Sequence, residues 1–279
     1  MPELPDLEYI AAKLRPRVTG RTITEMIVRE PIVLRMLLPG AGGFAEALPG
    51  HRIEGLDRWG PFLSFSLSGA ADLIVHCMLA GRLQIAAKAD KPVSHLCFSL
   101  ALDSGEWLRY GDEKRMGKVY LTAAGAHDSI PGYNGQGVNI LSPEFTLERF
   151  ESLIKGRRHQ ARVFLMDQAL LSAIGNAYAD EILFAARIHP KTPCGSLSAD
   201  QRQTLFESIR SVMAWGIAEV EKAGQPVEVK VRGHVKVRNR KDQPCPVCGT
   251  TIRRAGVLGY DSFFCPQCQA ASRPQRIPW

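Results

Sequence analysis

Residues 245–268 read CPVCGTTIRRAGVLGYDSFFCPQC and contain two Cys-x-x-Cys pairs with sixteen residues between the pairs. Each pair is typical of a tight turn that offers two thiolates, and four thiolates complete a tetrahedral zinc shell. The spacing therefore predicts one zinc ion bound by Cys245, Cys248, Cys265 and Cys268. Because a closed shell leaves no position for water, this zinc is expected to be structural rather than catalytic. The alternatives are redox-active pairs or unpaired thiols.

Positive charge surrounds this cysteine module. Residues 226–276 hold ten Lys and Arg against three acids, which accounts for the whole net charge of +7. The simplest interpretation is a solvated basic surface. A basic zinc hairpin also suits a polyanion, because neutralisation of phosphates drives nucleic-acid binding. Zinc ribbons bind protein partners as well, so the module by itself does not choose between these roles.

The chain has 279 residues, enough for two domains that each bury a core. No apolar run approaches the roughly 20 residues of a membrane span, and the first residues lack the layout of a signal peptide. We therefore expect a cytoplasmic protein without a membrane partner, whose seven cysteines do not form a disulfide framework. Cys77 and Cys97 lie in apolar strand-like runs, where buried, inert thiols are expected.

The period of the apolar residues changes along the chain. Helical spacing from Asp6 to Leu14 predicts a first helix that Gly20 ends. From Thr22 to Thr122, short apolar or alternating runs separated by turn residues predict a small antiparallel sandwich or barrel. A Gly- and Pro-rich stretch up to Pro143 predicts a linker. Beyond it, helical periodicity predicts four helices, at residues 147–154, 163–173, 178–188 and 198–220.

Three further segments accompany the cysteines: MPELPD at residues 1–6, DQALLSAIGNAYADEILFAARIHP at residues 167–190, and CPQCQ at residues 265–269. Together they resemble the formamidopyrimidine-DNA glycosylase and endonuclease VIII family over nearly the whole chain. The resemblance implies an α+β fold, with an N-terminal helix plus antiparallel β-sandwich followed by a helix–two-turn–helix domain and a C-terminal four-cysteine zinc finger. It places a catalytic domain at 1–125, a linker at 126–143, a DNA-binding helical domain at 144–225 and the zinc finger at 226–279.

The resemblance makes Pro2 the nucleophile and Glu3 the acid/base of a DNA glycosylase with AP lyase activity. Methionine before a small residue is normally removed, which would leave the secondary amine of Pro2 at the chain terminus. Such an amine has a pKa of roughly 8, so a useful fraction is neutral at physiological pH. It can attack the sugar and displace the base, while Glu3 moves protons. The alternative is that Pro2 merely starts the chain and Glu3 favours the helix N-terminus.

The resemblance also implies residues that contact the DNA backbone and replace a flipped nucleotide. Asn176 matches a phosphate contact at a tight turn between helices, where it could also be a helix cap. Leu79, Lys114 and Met116 match the three side chains that fill the hole left by the nucleotide. Core packing is the competing interpretation for Leu79.

Two positions depart from the family pattern. Pro61 stands where the family has a phosphate-binding lysine, and Tyr260 stands where it has an arginine before the third cysteine. Neither supplies a charged contact, although Tyr260 can donate one hydrogen bond or stack. Compensating positive charge is available nearby, at Arg58, Arg115, Lys118, Arg253 and Arg254. A milder departure is Ala173, which replaces a common glycine.

Three functional hypotheses follow. The first, which we favour because Pro2 and Glu3 are retained, is a monomeric DNA repair glycosylase acting on damaged or abasic DNA. The second is a protein that binds damaged or abasic DNA with weak or no catalysis, because the family lysine and arginine are replaced by Pro61 and Tyr260. The third is a module for a protein partner, against which the basic C-terminal segment argues.

Overall fold

The computed structural model describes residues 1–271, which form two compact units. The first unit comprises Met1–Gln136 and Ile217–Val231, and the second comprises Gly137–Gly216 and the chain from Arg232 onward. Arg273 and Arg276, counted in the basic segment, lie outside the described residues. Among the described residues, no helix combines the length and apolar character that crossing a bilayer requires.

The first unit starts with helix α1, Leu4–Val18, close to the predicted position. Leu7, Ile10 and Leu14 recur on its buried face. Its first turn contains Pro5, which is tolerated there because the N–H of that turn has no partner within the helix. Gly20 follows with φ +79°, a conformation that glycine adopts without strain.

Two sheets follow α1 in this unit, as the sequence predicts. The first sheet has the strand order β1-β7-β8-β6 and the second has β2-β9-β5-β4-β3. All pairs are antiparallel except the parallel pair of β2 and β9. The strands are β1 Ile23–Val28, β2 Leu34–Met36, β3 Ile53–Trp59, β4 Phe62–Leu67, β5 Ala71–His76, β6 Gly81–Ala87, β7 Leu96–Leu102, β8 Glu106–Asp112 and β9 Lys118–Ala123, with a short helix α2 at Phe44–Ala47.

Part of the predicted linker packs against the second sheet. Phe62, Ile74 and Tyr120 form a buried cluster with Ile130 and Tyr133 from the segment after β9. Ile74 and Tyr120 are directly opposed in the β5–β9 register, so neighbouring strands present one continuous apolar surface. Residues up to Gln136 consequently belong to the first unit, while the predicted domain boundaries remain a proposal.

The second unit is helical and ends in a hairpin. Its helices are α3 Leu147–Ile154, α4 Ala161–Met166, α5 Asn176–Ala185 and the first part of α6 Ala199–Ala223, and its strands are β10 Arg253–Val257 and β11 Tyr260–Phe264. The helix predicted at residues 163–173 is wrong beyond Met166.

Beyond Met166 the chain forms a loop that side-chain hydrogen bonds stabilise. Gln168 donates its amide to the Ile174 carbonyl at 2.8 Å and accepts from the Ala173 N–H at 2.8 Å. Ala173 has φ +62°, in the left-handed region that favours glycine. The apolar spacing therefore continues through a segment whose backbone is no longer helical.

Candidate functional site

Pro2 and Glu3 are both buried where α1 begins. Glu3 is 4% exposed and occupies the N-cap position of the helix. Its backbone N–H donates to Asp6 Oδ2 at 2.8 Å, which holds the first turn in place. Glu3 therefore has the capping position that the competing interpretation expects, and its carboxyl group lies beside the start of the chain.

The terminal amine lies in an environment that disfavours its charged form. The Met1 amine donates to the Leu79 carbonyl at 2.7 Å, and Lys230 Nζ lies 3.4 Å from the Met1 carbonyl oxygen. Burial and, after it, the charge of Lys230 lower the pKa of this amine from 8.0 to about 6, against the opposing effect of Glu3. An amine with that pKa is mostly neutral at physiological pH.

The turn between β5 and β6 presents Leu79 to solvent. Leu79 is 56% exposed, which excludes the core-packing interpretation. Met78 before it has φ +46° and donates its N–H to His76 Nδ1 at 3.0 Å. Burial lowers the pKa of His76 to about 4, so its imidazole is neutral and can accept this hydrogen bond. The half-buried His76 side chain thus helps to fix the shape of the turn.

The turn after β8 presents Lys114, Arg115 and Met116. Buried Asp112 accepts the Lys114 N–H at 3.0 Å on Oδ1 and the Gly117 N–H at 2.6 Å on Oδ2. Arg115 has φ +53°, and Met116 is 41% exposed. One buried carboxylate therefore closes the turn from both ends and directs its middle residues outward.

Only some of these predicted side chains meet. Leu79 and Lys114 line one cleft, together with Arg82. The Arg115 guanidinium instead pairs with Glu30, its Nη2 lying 3.2 Å from Oε1.

Asn176 is the first residue of α5, in the second unit. Its Oδ1 accepts from Arg162 Nη2 at 2.6 Å. Because a guanidinium only donates, this contact settles which end of the Asn176 amide faces Arg162. Its NH₂ group is therefore the end left to donate to a ligand.

A buried ionic cluster beside Asn176 was not found from the sequence. The Asp180 carboxylate accepts from Arg162 Nε at 3.1 Å, Arg238 Nη1 at 2.8 Å and Ser262 Oγ at 2.7 Å. Arg162 and Asp180 are both fully buried. The available signal was the presence of charged residues in two predominantly apolar helical segments, one in ARVFLM and two in NAYADEILFA.

The four predicted zinc ligands come together. Their sulfur atoms all lie within 4.8 Å of one another, with Sγ–Sγ distances of 3.9 Å for Cys245–Cys268 and 3.5 Å for Cys248–Cys265. A tetrahedral zinc–thiolate shell has sulfur atoms about 3.8 Å apart, so the cluster fits that ion. Backbone N–H groups also donate to two of the sulfurs, those of Cys245 and Cys265, at 3.4 Å each.

Gln269 ties this zinc module to the segment directly after α5. Its Oε1 accepts from the Cys265 N–H at 3.0 Å, and its Nε2 donates to the Ile188 carbonyl at 2.9 Å. Phe184 at the end of α5 packs in one apolar cluster with Ile252 and Phe263 of the module. The last glutamine of the CPQCQ segment is therefore a structural contact that spacing alone did not assign.

The predicted contacts on the hairpin are exposed. Tyr260, at the start of β11, is 57% exposed, and Arg253 and Arg254 are exposed on β10. Arg254 Nη1 lies 3.2 Å from Asp261 Oδ2, so part of its charge is neutralised within the hairpin.

Pro61 lies in the turn between β3 and β4, next to Gly60. Arg58, one of the arginines available to compensate for it, is directed inward. Its side chain is buried and pairs with Glu8, and its Nη1 donates to the Gly60 carbonyl at 3.0 Å. Arg58 is therefore a structural residue rather than a replacement phosphate contact.

Cys77 and Cys97 are buried. Burial raises the pKa of the Cys77 thiol to about 12 and also raises that of Cys97. Both thiols are consequently protonated and unreactive, as expected from the sequence.

Family models match three parts of the chain. The formamidopyrimidine-DNA glycosylase N-terminal domain matches residues 1–119, the H2TH domain of the same family matches residues 137–226, and a zinc finger found in FPG and IleRS matches residues 242–271. The matches follow the order of the sheets, helices and cysteine module.

Curated relatives and solved structures agree with these models. A formamidopyrimidine-DNA glycosylase of Symbiobacterium thermophilum is 34% identical over 275 residues, covering 96% of this chain and 89% of the relative. One of Moorella thermoacetica is 36% identical over 265 residues, covering 91% and 94%. The crystal structure of the MutM (Fpg) protein from Thermus thermophilus superposes with a TM-score of 0.83 at 30% identity, covering 97% of this chain and 100% of that one. A complex of Lactococcus lactis Fpg with DNA containing an oxidised pyrimidine has a TM-score of 0.84 at 25% identity, with the same coverage. The chain therefore belongs to the formamidopyrimidine-DNA glycosylase and endonuclease VIII family.

Proposed function

We propose that Pro2 is the nucleophile and Glu3 the proton-transfer residue of this protein, which is a DNA repair glycosylase with AP lyase activity. The observation that carries the assignment is the lowered pKa of the terminal amine, about 6, beside a buried carboxyl group. Removal of Met1 would place the terminal amine on Pro2, the neighbouring residue, which is also buried. Burial and the nearby Lys230 charge would likewise disfavour the charged form of that group.

The chemistry follows from a neutral amine beside a carboxyl group. The Pro2 nitrogen donates its electron pair to the anomeric carbon of the deoxyribose, and the bond to the base breaks with its electrons leaving on the base. Glu3 delivers the proton that ring opening requires, and an iminium forms. The iminium acidifies the adjacent sugar carbon. Loss of a proton there expels the 3′ phosphate, which cleaves the strand by β-elimination.

The substrate is DNA with a damaged base or an abasic site. The relatives above are named formamidopyrimidine-DNA glycosylases, and one solved neighbour is a complex with DNA containing an oxidised pyrimidine. In the first unit, the exposed Leu79, Lys114 and Met116 are suited to fill the space left by a flipped nucleotide, with Arg115 as a further contact to the DNA. In the second unit, Asn176, Arg253, Arg254 and Tyr260 contact the DNA backbone.

The zinc finger has a structural role in this function. One zinc ion bound by the four cysteines has no open coordination position, so it supplies folding stability rather than a reacting water. By fixing both ends of β10–β11, it holds the basic residues of the hairpin in place.

We also propose that the enzyme acts as a cytoplasmic monomer. Thiolate zinc sites and inert buried thiols are typical of reducing compartments, and each unit buries its own core. Gel filtration coupled to light scattering should give a mass near 30.7 kDa. A mass of twice that value would contradict the proposal.

A protein that binds damaged DNA without catalysis is not favoured. The loss of charge at Pro61 and Tyr260 affects contacts to DNA, whereas the amine and carboxyl group that perform the reaction are present. The relatives that cover most of the chain are named as glycosylases.

Borohydride trapping on a duplex with an abasic site tests the chemistry. The reductant converts the iminium into a stable covalent adduct of protein and DNA. We expect an adduct with the native enzyme and none with Pro2→Gly, while Glu3→Gln should slow its formation. A native enzyme that binds the duplex but forms no adduct would refute the assignment.

A further inference from the structure

Arg162 and Arg238 share two acceptors in the second unit. Both guanidinium groups donate to the Asp180 carboxylate, and both donate to the backbone carbonyl of Asp261, at 3.0 Å for Arg162 and 2.8 Å for Arg238. Arg162 also donates to Asn176 at 2.6 Å. The arrangement thus connects the first residue of α5 to the hairpin position directly after Tyr260.

Two guanidinium groups donate to one buried carboxylate, that of Asp180. The neighbouring Glu181 carboxylate is also buried but accepts the backbone N–H groups of residues 236–238, and the Asp261 carboxylate faces Arg254. The N-terminus of α5, a helix of ten residues, adds partial positive charge beside Asn176. A positive charge withdrawn from water is costly unless an anion accompanies it. Within residues 1–271 Asp180 is the only carboxylate that accepts from these two guanidinium groups, so their remaining donors favour an anionic ligand.

Arg238 has the exposure and the donors to bind that anion. Its side chain is 18% exposed, whereas those of Arg162 and Asp180 are fully buried. Its Nη1 makes both side-chain hydrogen bonds described above, and within residues 1–271 its Nε and Nη2 donate to no acceptor. Nη1 is thus fixed by protein, while two donor nitrogen atoms, Nε and Nη2, remain for a ligand oxygen.

We propose that Arg238 binds a phosphate of the DNA backbone, and that Arg162 is a positioning residue that directs the Asn176 amide toward the DNA. The proposal rests on the proposed role of Asn176 as a DNA contact. Arg238 supplies, from the other side of Asp261, the positive charge that Tyr260 lacks. In this proposal, the positive charge that binds a phosphate comes from Arg238, which precedes the first cysteine, Cys245, and not from the hairpin position held by Tyr260.

The salt dependence of DNA binding tests the Arg238 contact. Binding of the zinc-loaded protein to a fluorescent duplex with a stable abasic-site analogue is measured by anisotropy at several salt concentrations. Each lost phosphate contact lowers the slope of log K against log salt by about 0.9. Arg238→Gln should therefore lower the slope by about one and weaken binding about tenfold. Arg210→Gln removes the same charge from an exposed position on α6 and should change neither value.

Arg162 acts through Asn176, so its variants should behave differently. Arg162→Met leaves Asp180 with Arg238 as a partner, and it should weaken binding without changing the salt slope. Asn176→Ala should weaken binding by a similar factor, and the double variant should be no weaker than Asn176→Ala alone. Additive losses would show that Arg162 does not act through Asn176 and would overturn that part of the proposal.

An unchanged slope and affinity in Arg238→Gln would overturn the phosphate contact. Zinc content and melting temperature show whether each variant is folded. If Arg238→Gln is not folded, Arg238→Lys is used in its place. The salt slope of log K should then be that of the native protein, while the affinity should fall about threefold. An unchanged affinity would refute the contact. Borohydride trapping by the native enzyme is run in parallel. Its failure would refute the proposed catalysis, whereas the slope comparison reports on Arg238 alone.

Discussion

Gly117→Ala should destabilise the turn that presents Lys114 and Met116. A Cβ atom at Gly117 would lie 2.9 Å from Asp112 Oδ2 and 2.9 Å from Tyr110 Cζ, and closer still to the Tyr110 hydroxyl oxygen. Real Cβ atoms essentially never approach other atoms within 3.0 Å. Both neighbouring side chains are buried, so neither can swing away into solvent.

Two costs add in this variant. Overpacking a buried site costs about 1–3 kcal/mol. As the turn moves, the 2.6 Å hydrogen bond from the Gly117 N–H to the Asp112 carboxylate is weakened, and a hydrogen bond to a charged group contributes about 1.5–3 kcal/mol. Allowing for partial relaxation, we expect the free energy of unfolding to fall by about 3 kcal/mol, a large share of the 5–15 kcal/mol typical of a domain.

Urea unfolding of the zinc-loaded protein, followed by tryptophan fluorescence, measures this loss. The matched control is Gly135→Ala, where a Cβ would meet nothing within 4 Å and where φ is not positive. It should change stability by less than about 0.5 kcal/mol. Because Met116 and Lys114 follow the displaced backbone, Gly117→Ala should also weaken DNA binding.

Tyr110→Phe sharpens the same test. The Tyr110 hydroxyl is buried and has no hydrogen-bond partner in the described part of the chain, so Phe should stabilise the protein by about 1 kcal/mol. Phe also removes the oxygen closest to the new Cβ, so the double variant should be less destabilised than the sum of the single effects. Additive effects, or a Gly117→Ala loss below about 0.5 kcal/mol, would refute the packing argument.

Three further predictions follow from the site. The rate of borohydride trapping should rise with pH as the terminal amine of Pro2 loses its proton, with a midpoint below the roughly 8 of an ordinary terminal amine, because this end of the chain is buried and lies beside Lys230; a midpoint at or above pH 8 would contradict that environment. Chelation of zinc, or Cys265→Ser, should remove protection from hydrogen exchange in Arg253–Phe264, since the four-cysteine shell holds this hairpin. DNA binding should weaken at least tenfold as a result. Protection that is retained would exclude this role of the cysteine shell. Ala173→Gly should raise the free energy of unfolding in urea by about 0.5 kcal/mol, because relief of the left-handed strain exceeds the added freedom of the unfolded chain. A lower free energy of unfolding would show that the φ of +62° is not strained.

Periodicity predicted most helices and strands where one face is apolar. Helix α3 lies where its pattern indicated. The sequence bounded the strands only as a region from Thr22 to Thr122, and within it Arg109 interrupts the apolar run of β8. In the structure that side chain is buried and donates to the carbonyls of Ala87 and Lys88, at 3.0 and 2.9 Å. A charged residue satisfied by distant carbonyls cannot be told from an exposed one by spacing alone.

In the candidate site, too, some residues could be named from the sequence and other features could not. The four cysteines and the proposed Pro2–Glu3 pair could be named from the sequence because each set consists of adjacent or regularly spaced residues. The sequence did not show three other features: the exposure of Leu79, the inward direction of Arg58 and the cluster around Asp180.

By itself the sequence determined the family and the four-cysteine cluster, and it suggested Pro2 and Glu3 as the reacting groups, since short-range spacing is enough to bring those atoms together or to bury one face of an element. The tertiary structure decided which charges reach solvent. Arg58 and Arg162 are turned inward by partners 50 and 18 residues away in the chain, whereas Arg238 keeps two donors available. The direction of a long cationic side chain depends on which acceptors folding places beside it, and that information lies in contacts between distant segments.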